Sequence, residues 1–480
     1  MCGIAGIYGK ESSKHIITMV NSLKYRGPDG KGLYINGQIF KSNDIDKEFT
    51  NILNSNFALG HNLLSIVGEN RLQPLKFNNI ILVSNAEIYN YKYLVKKYNL
   101  SYEDYYSDSE VLLELINYFY TGNLLEAVKK TINIIDADYA FCVYDGIDYI
   151  VVRDPVGVKP LYYSYDDDSF AFASEKVAIY NIGFSNIFDL NPRTYIFNGK
   201  INQFNHNNRN TLSFNDYDSA INEFKKFIVE SVSKRVSGVD NIGLLFSGGV
   251  DSSLIASICK QLNVDVTLYT TGTKNSQDLN YAKKAAKSID LPLKEYIINV
   301  DDVRKYALPV LEYIDDINLM KLGVGLTAFF TSKLASKDNI KVLLSGQGAD
   351  ELFAGYNRYK NKYDTPDKLE EELLHDLENI YHVNLERDDT VTMHNHMELR
   401  VPFLDKNIIN FSKSIPLNYK INSSTDNIRK HILRDASLQL GVPEFIAYRP
   451  KKAAQYGSGI HKILIKKIIK ESPYNELFSN

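Results

Sequence analysis

The sequence predicts two domains of different build: an α+β layered domain over residues 2–200 and an α/β domain with a parallel sheet over 221–480, joined by a linker at 201–220. Three observations predict this. Before residue 200, short β-rich runs recur with few helical stretches between them. After residue 220, strands alternate with helical patterns. The polar, Asn-rich stretch INQFNHNNRNTLSFNDYDS (201–219) separates the two styles.

In the first part IILVS (80–84), YAFCVYD (139–145), DYIVVRD (148–154), SFAFAS (169–174) and TYIF (194–197) read as strands, and 109–120 as a helix. Runs of this kind favour an antiparallel sheet with helices packed on it. In the second part NIGLLF (241–246), DVTLYTT (265–271), KEYIINV (294–300) and KVLLS (341–345) each lead into a helix, starting at 251, 278, 301 and about 349. That alternation predicts a doubly wound sheet with ligands at the carboxyl ends of its strands. The charged stretch TPDKLEEELLHDLEN (365–379) reads as a solvated helix face.

Composition narrows the function classes. A net charge of −3 over 480 residues gives no electrostatic case for a nucleic-acid or membrane-surface partner. No apolar run is long enough to span a bilayer, and the opening MCGIAGIYGK lacks the basic residues and cleavage site of a secretion signal. Cys2, Cys142 and Cys259 are scattered without CxxC spacing, which argues against a disulfide framework and for a reducing, cytoplasmic setting. His394 and His396 have no third ligand at useful spacing and read as packed or exposed side chains.

The sharpest local signal is FSGGVDSS (246–253), between a strand and a helix. Gly248 and Gly249 let the backbone approach an anion, while Ser247, Ser252 and Ser253 add hydroxyls. Asp251 would repel a phosphate, so it suits a Mg²⁺ ion held against one. A second string, LLSGQGADELFAGY (343–356), also follows a strand and offers Asp350 as the partner of Asp251 in binding Mg²⁺. Glu351, taken alone, reads as a helix cap.

The opening residues raise a different chemistry. With Met1 removed, Cys2 carries a thiol and a free α-amine of pKa about 8, a nucleophile with its own base. Asn85 and the N–H of Ala86 in SNAEIYN (84–90) suit an oxyanion, and Glu87 and Asp108 suit the ammonium of an amino acid. RGPDG (26–30) is turn chemistry with Arg26 as an anchor. Asp108 has a simpler reading as a helix cap. The set fits glutamine hydrolysis to ammonia.

The motifs MCGIAG, RGPDG, GHNLLSIVG, QPL, NAEIYN, SDSEV, RDPVGVKPLYY, FSGGVDSS, SGQGADELFAGY, ELRVPFLD and RPKKAAQYGSG together resemble glutamine-dependent asparagine synthetase over nearly the whole chain. That resemblance implies an N-terminal Ntn-hydrolase-type, layered (αββα) class II glutamine amidotransferase domain followed by a PP-loop synthetase domain that cleaves ATP to AMP and pyrophosphate. It implies Cys2 as nucleophile, Asn85 and Ala86 as oxyanion hole, and Glu87, Asp108, Asn85 and Arg26 as glutamine ligands. Leu245, Thr271, Ser345 and Gly346 would join the ATP site, and Lys451 would stabilise charge during acyl transfer. The substrates implied are L-aspartate, L-glutamine and ATP, with Mg²⁺; no nucleic acid or membrane is expected, and a homodimer stays open.

Three positions depart from the family pattern. Leu63 stands where an arginine binds the glutamine carboxylate, a loss worth roughly 1.5–3 kcal/mol. Ala86 replaces a glycine, which keeps the N–H donor if the backbone there suits an alanine. Gln347 replaces a glutamate linked to acyl adenylation, and an amide cannot act as a carboxylate base. The expected reaction is aspartate, glutamine, ATP and water giving asparagine, glutamate, AMP and pyrophosphate through β-aspartyl-AMP, with ammonia carried along an internal passage that RDPVGVKPLYY (153–163) helps to wall. The alternatives are an amide ligase or cyclase acting on another carboxylate, a non-catalytic relative, and an enzyme driven mainly by free ammonia.

Overall fold

The computed structural model describes residues 2–50, 52–67, 71–100, 107–204, 212–214, 216–450 and 454–478. The chain divides into two compact units, residues 1–207 and 208–480. The stretch read as a linker lies partly outside the described residues; what is described there closes one strand and opens the helix Tyr217–Val236.

The first unit contains β1 (Gly3–Tyr8), β2 (Lys31–Ile35), β3 (Gln38–Ser42), β4 (Phe57–Asn62), β5 (Leu75–Phe77), β6 (Ile80–Ile88) and β7 (Ala137–Tyr144). It continues with β8 (Tyr149–Arg153), β9 (Tyr162–Tyr165), β10 (Phe170–Ala173), β11 (Phe188–Asp189), β12 (Thr194–Phe197) and β13 (Lys200–Gln203). They form two antiparallel sheets, ordered β11-β9-β10-β1-β4-β2-β3 and β13-β12-β8-β7-β6-β5. Ile4, Leu59 and Phe172 from the first sheet pack on Val83, Ala140 and Ile196 from the second, so the sheets meet face to face. The helix Ser12–Ser22 covers the outer face of one with Ile16, Met19 and Val20. Helices Asp108–Phe119 and Leu124–Ile134 cover the other with Val111, Leu115, Ala127 and Val128. The result is the four-layer αββα arrangement.

The opening GIAGIY is therefore the strand β1, central in its sheet. Its glycine spacing has a packing cause: a Cβ on Gly6 would lie 2.2 Å from the Phe172 ring. Register pairs Gly3 with Asn62 and Ile4 with His61, which fixes Cys2 at the end of a buried strand. Within RDPVGVKPLYY, Arg153 donates to the carbonyls of Gly157, Lys159 and Leu190, and Asp154 accepts N–H groups from Val156 to Lys159. Its buried charges thus fold that segment on itself.

The second unit carries β14 (Ile242–Leu245), β15 (Val266–Gly272), β16 (Leu293–Ile297), β17 (Val342–Leu344) and β18 (Glu398–Arg400) in one parallel sheet, ordered β16-β15-β14-β17-β18. From β14 the chain runs outwards to β15 and β16, then crosses by the helix Leu319–Ser336 to β17 on the other side. The topological switch point therefore lies between β14 and β17, where a doubly wound sheet opens a crevice at its carboxyl edge. Helices Val250–Gln261, Gln277–Ile289 and Val300–Ile314 start within a residue of the positions the sequence predicts.

Two elements differ from the sequence reading. The charged stretch is the helix Pro366–Ile380, but it is more than a solvated face: Leu369, Leu373 and Leu377 are buried against Ala354, Tyr359 and Ile421. Strand β18 was not expected, because two of its three residues are charged; Glu398 and Arg400 are buried and pair with each other at 2.7 Å. No helix among the described residues is long and apolar enough to cross a membrane.

Candidate active sites

In the first unit Cys2 is half-buried at the start of β1. Cys142 and Cys259 are sealed in the cores, where burial pushes both thiols up, Cys259 to about 12. Neither of those two buried thiols is placed for thiolate chemistry. The Cys2 backbone nitrogen donates to Oδ1 of Asn85 at 3.0 Å. Arg26 holds Cys2 from the other side: Nε donates to the Cys2 carbonyl at 3.2 Å while Nη1 pairs with Glu175 at 2.5 Å. The Arg26 guanidinium is wholly buried, so it serves as the anchor of the Cys2 backbone.

The edge of β6 supplies the donors. Tyr89 N–H bonds to the Asp136 carbonyl, which sets the phase of the β6–β7 ladder and turns Ser84, Ala86 and Ile88 N–H away from β7. Ser84 N–H reaches Oε1 of Gln73 at 2.7 Å, and Ile88 N–H reaches Oδ2 of Asp108 at 2.7 Å. Between them, Ala86 N–H has no protein acceptor among the described residues. Nδ2 of Asn85 is likewise buried without a partner among the described residues. Buried donors are rarely left so. The buried Asn85 Nδ2, next in the chain to the half-buried Ala86 N–H and close to a thiol, is the kind of donor a developing oxyanion requires. Ala86 sits in regular strand geometry, not among the positive-φ residues, so replacing glycine there carries no backbone penalty.

Asp108 is not the cap of its helix. Ser107 takes that place, with Glu110 closing a capping box, and Asp108 is left to brace the end of β6 beside Glu87. Leu63 is buried, its N–H bonded to the Gly30 carbonyl and its carbonyl to Asp29 N–H, which stitches the RGPDG turn to the end of β4. Two cations that sequence reasoning did not single out, Lys41 and Arg71, line a cleft of about 430 Å³ with Asn43, Leu72 and Glu110. Burial and the neighbouring Arg71 lower the Lys41 pKa.

In the second unit the loop from Phe246 to Gly249 joins β14 to the helix Val250–Gln261. Gly248 adopts φ 66°, and a Cβ there would lie 2.7 Å from the backbone nitrogen of Ala282. Glycine is needed on both counts. Ser247 is exposed, Ser252 bonds to the Gly249 carbonyl at 3.3 Å, and Ser253 is fully buried in the first turn. Across the switch point Ser345 N–H bonds to the Arg400 carbonyl, and a Cβ on Gly346 would lie 3.0 Å from that of Asp251. Thr271 Oγ1 donates to the Tyr296 carbonyl at the end of β15, and Leu245 is half-buried at the end of β14. The named ATP-site residues thus gather at the carboxyl ends of β14, β15 and β17.

The residue that sequence reasoning missed is Lys430. Its Nζ lies 2.8 and 2.9 Å from the two oxygens of Asp251 and 2.8 Å from Asp350. Lys430 is 1% exposed, and both it and Arg429 adopt left-handed backbone, φ 55° and 52°. That conformation is uncommon for residues other than glycine and marks stored strain. Asp426 builds the turn: burial alone would raise its carboxyl, but N–H groups of Arg429, Asn422 and Ile428 and the His431 ring hold it down at about 2. Glu351 does not cap its helix; it is buried, bonded by Tyr356 and Asn384, and burial plus the Asp350 charge push it up to about 7. Gln347 Nε2 donates to Asp388 at 2.7 Å. Lys451 lies outside the described residues; Arg449, two positions earlier, pairs with Asp278 and donates to the Ser247 carbonyl at 3.0 Å. His394 stacks on Tyr313, a packed histidine.

A half-buried thiol beside unpartnered N–H donors, with a glycine–serine loop close to paired carboxylates, is the arrangement expected of an amidotransferase-coupled, nucleotide-dependent enzyme. Comparison with known proteins agrees. The glutamine amidotransferase domain model matches residues 1–210, and the asparagine synthase model matches 223–365 and 360–473. The chain is 38% identical, over 97% of its length and 95% of the relative's, to a putative glutamine-hydrolysing asparagine synthetase 1 of Methanocaldococcus jannaschii. It is 29% identical to a probable one of Acanthamoeba polyphaga mimivirus and 27% identical to that of Gallus gallus, over 94% and 95% of this chain and 84% of each relative. The chain belongs to the asparagine synthetase family.

Proposed function

We propose that the chain makes L-asparagine from L-aspartate, L-glutamine and ATP. Cys2 sulfur attacks the glutamine carboxamide, with Asn85 Nδ2 and Ala86 N–H holding the oxyanion and Glu87 and Asp108 gripping the ammonium. If Cys2 is the mature first residue, Asn85 Oδ1 orients its amine to take the thiol proton and pass it to the departing ammonia. Water then releases glutamate. The aspartate β-carboxylate attacks the α-phosphorus of ATP, pyrophosphate leaves, and ammonia displaces AMP from the β-aspartyl-AMP. Ammonia released into neutral water would mostly become ammonium, so a water-poor route to the adenylate has a physical purpose.

Asp251 and Asp350 both ion-pair with Lys430 Nζ, and their carboxylates are hard oxygen donors of the kind that would hold a Mg²⁺ ion carried in on ATP phosphates beside it. Such an ion would supply charge neutralisation on the departing pyrophosphate. Lys430 presents a fixed ammonium in the same place, and the Ser247–Gly249 loop offers N–H groups and hydroxyls to the polyphosphate. Lys451 would steady charge on the acyl phosphate.

The observation that supports this reading most is that one chain carries both machineries. An amidase alone needs no nucleotide loop, and a synthetase using free ammonia needs no oxyanion hole beside a thiol. The test is AMP formation against a panel of carboxylic acids, with mass identification of the amide. Aspartate is expected to drive AMP release and yield asparagine; indifference to aspartate, with another acid active, would replace the substrate.

A further inference from the structure

We propose that Asp388 is the positioning residue that fixes the Gln347 side chain for attack by ammonia. Asp388 lies on the helix Glu386–Met393 and is 5% exposed. Arg387 Nε and Nη2 both reach its Oδ1 at 2.8 Å, and Gln347 Nε2 reaches its Oδ2 at 2.7 Å. Gln347 stands on the loop that follows β17, between Gly346 and the Asp350 carboxylate, at the switch point.

The hydrogen bond decides which face of the amide the site sees. An amide offers donors on nitrogen and an acceptor on oxygen, and rotation about its last torsion exchanges them at little cost. A carboxylate accepts only. With Asp388 taking Nε2, a flip would set the amide oxygen against a carboxylate oxygen, so Oε1 is kept pointing elsewhere. Oε1 has no hydrogen bond among the described residues. An oxygen acceptor holds ammonia by an N–H and leaves its lone pair free to react, whereas an NH₂ group in the same place would bind that lone pair. Arg387 holds the Asp388 carboxylate in place through two contacts to the same oxygen.

This inference rests on the ligase reading above. Ammonia's lone pair forms the C–N bond, the acyl C–O bond breaks with its electrons on the AMP phosphate, and the surplus nitrogen proton leaves for that phosphate. The pair is therefore asked to orient and not to act as a base.

The test uses the full chain with ammonium chloride, aspartate and ATP, and reads asparagine formed per AMP released. Asp388→Asn is expected to lower that ratio about tenfold, because a misplaced nucleophile leaves the adenylate to water. Gln347→Glu alone sets two carboxylates together and is expected to lower it similarly. The double variant Gln347→Glu/Asp388→Asn, which restores one acceptor and one donor in exchanged places, is expected to return within about threefold of the parent. A merely structural role gives no such rescue. If Asp388→Asn does not fold, Gln347→Met, which leaves the Arg387 pair intact, is read in its place. Unchanged ratios in the single variants, or a double variant no better than the worse single, would overturn the proposal. A parent enzyme that releases no AMP with aspartate would instead overturn the ligase reading itself.

Discussion

Lys430 Nζ stands within 2.9 Å of both carboxylate oxygens of Asp251, a residue 179 positions earlier, and binds Asp350 as well. Three charges meet at one buried point where two βα loops converge. An ammonium between two carboxylates offsets their mutual repulsion in a buried setting. Lys430→Met would leave two buried carboxylates facing one another, a change of the kind that costs about 3–5 kcal/mol. Aspartate-dependent AMP formation is expected to fall at least about a hundredfold, while glutamine hydrolysis by the same preparation persists. Steady-state assays of both half-reactions check this.

Gly248 is the second point of dependence. Alanine there would combine a left-handed φ of 66° with a 2.7 Å approach to the Ala282 backbone. Gly248→Ala is expected to lower stability of the second unit by roughly 1–3 kcal/mol and to raise KM for ATP about tenfold or more. Urea unfolding and ATP titration measure the two effects. A variant with parent-like stability and KM would show that the loop does not hold the phosphates.

Asn85 has two functions that a substitution can separate. Oδ1 accepts from the Cys2 nitrogen, and Nδ2 is buried without a partner among the described residues, the donor proposed for the oxyanion. Asn85→Asp keeps the acceptor and removes the donor, so glutamine KM should change little while kcat falls about a hundredfold or more. Ammonia-driven synthesis should be untouched. Loss confined to KM would assign Asn85 to substrate binding alone.

His61, on β4 opposite Ile4, is fully buried, and burial pushes its pKa down to about 3 from an ordinary value near 6.5. The folded chain therefore binds fewer protons at this ring than the unfolded chain between those values. Stability should be complete above pH 6.5 and decline steadily as pH falls towards 3. His61→Gln is expected to flatten that part of the acid limb. Thermal melts of parent and variant from pH 7 to 4 give the comparison; parallel curves would mean that His61 is already charged in the fold.

How far the sequence revealed this molecule depended on whether each feature was local. The βα alternation of the second unit was legible because β14, β15 and β17 are short runs rich in apolar residues, each leading into a helix. Strands β4 and β18 were not, since FALGHN and ELR carry polar and charged residues that are nonetheless buried. The helix Pro366–Ile380 looked solvated because its three buried leucines are outnumbered by charges. At the sites, Cys2, Asn85, Asp251 and Asp350 stood out by motif. Lys430 and Asp388 did not: each matters only through a partner, Asp251 or Gln347, that folding brings to it. Arg26 was read as an anchor from its turn motif alone, whereas its contacts to Glu175 and the Cys2 carbonyl come from distant parts of the chain.

The central claim is that nitrogen freed at Cys2 is the nitrogen that ends on the activated acid. Glutamine labelled with ¹⁵N in its amide, supplied with aspartate, ATP and an equal concentration of unlabelled ammonium chloride, tests it by mass spectrometry of the product. The account expects asparagine carrying mostly ¹⁵N, one AMP per asparagine, and loss of the label but not of synthesis in Cys2→Ala. Unlabelled asparagine from the parent enzyme, or labelled asparagine from Cys2→Ala, would contradict it.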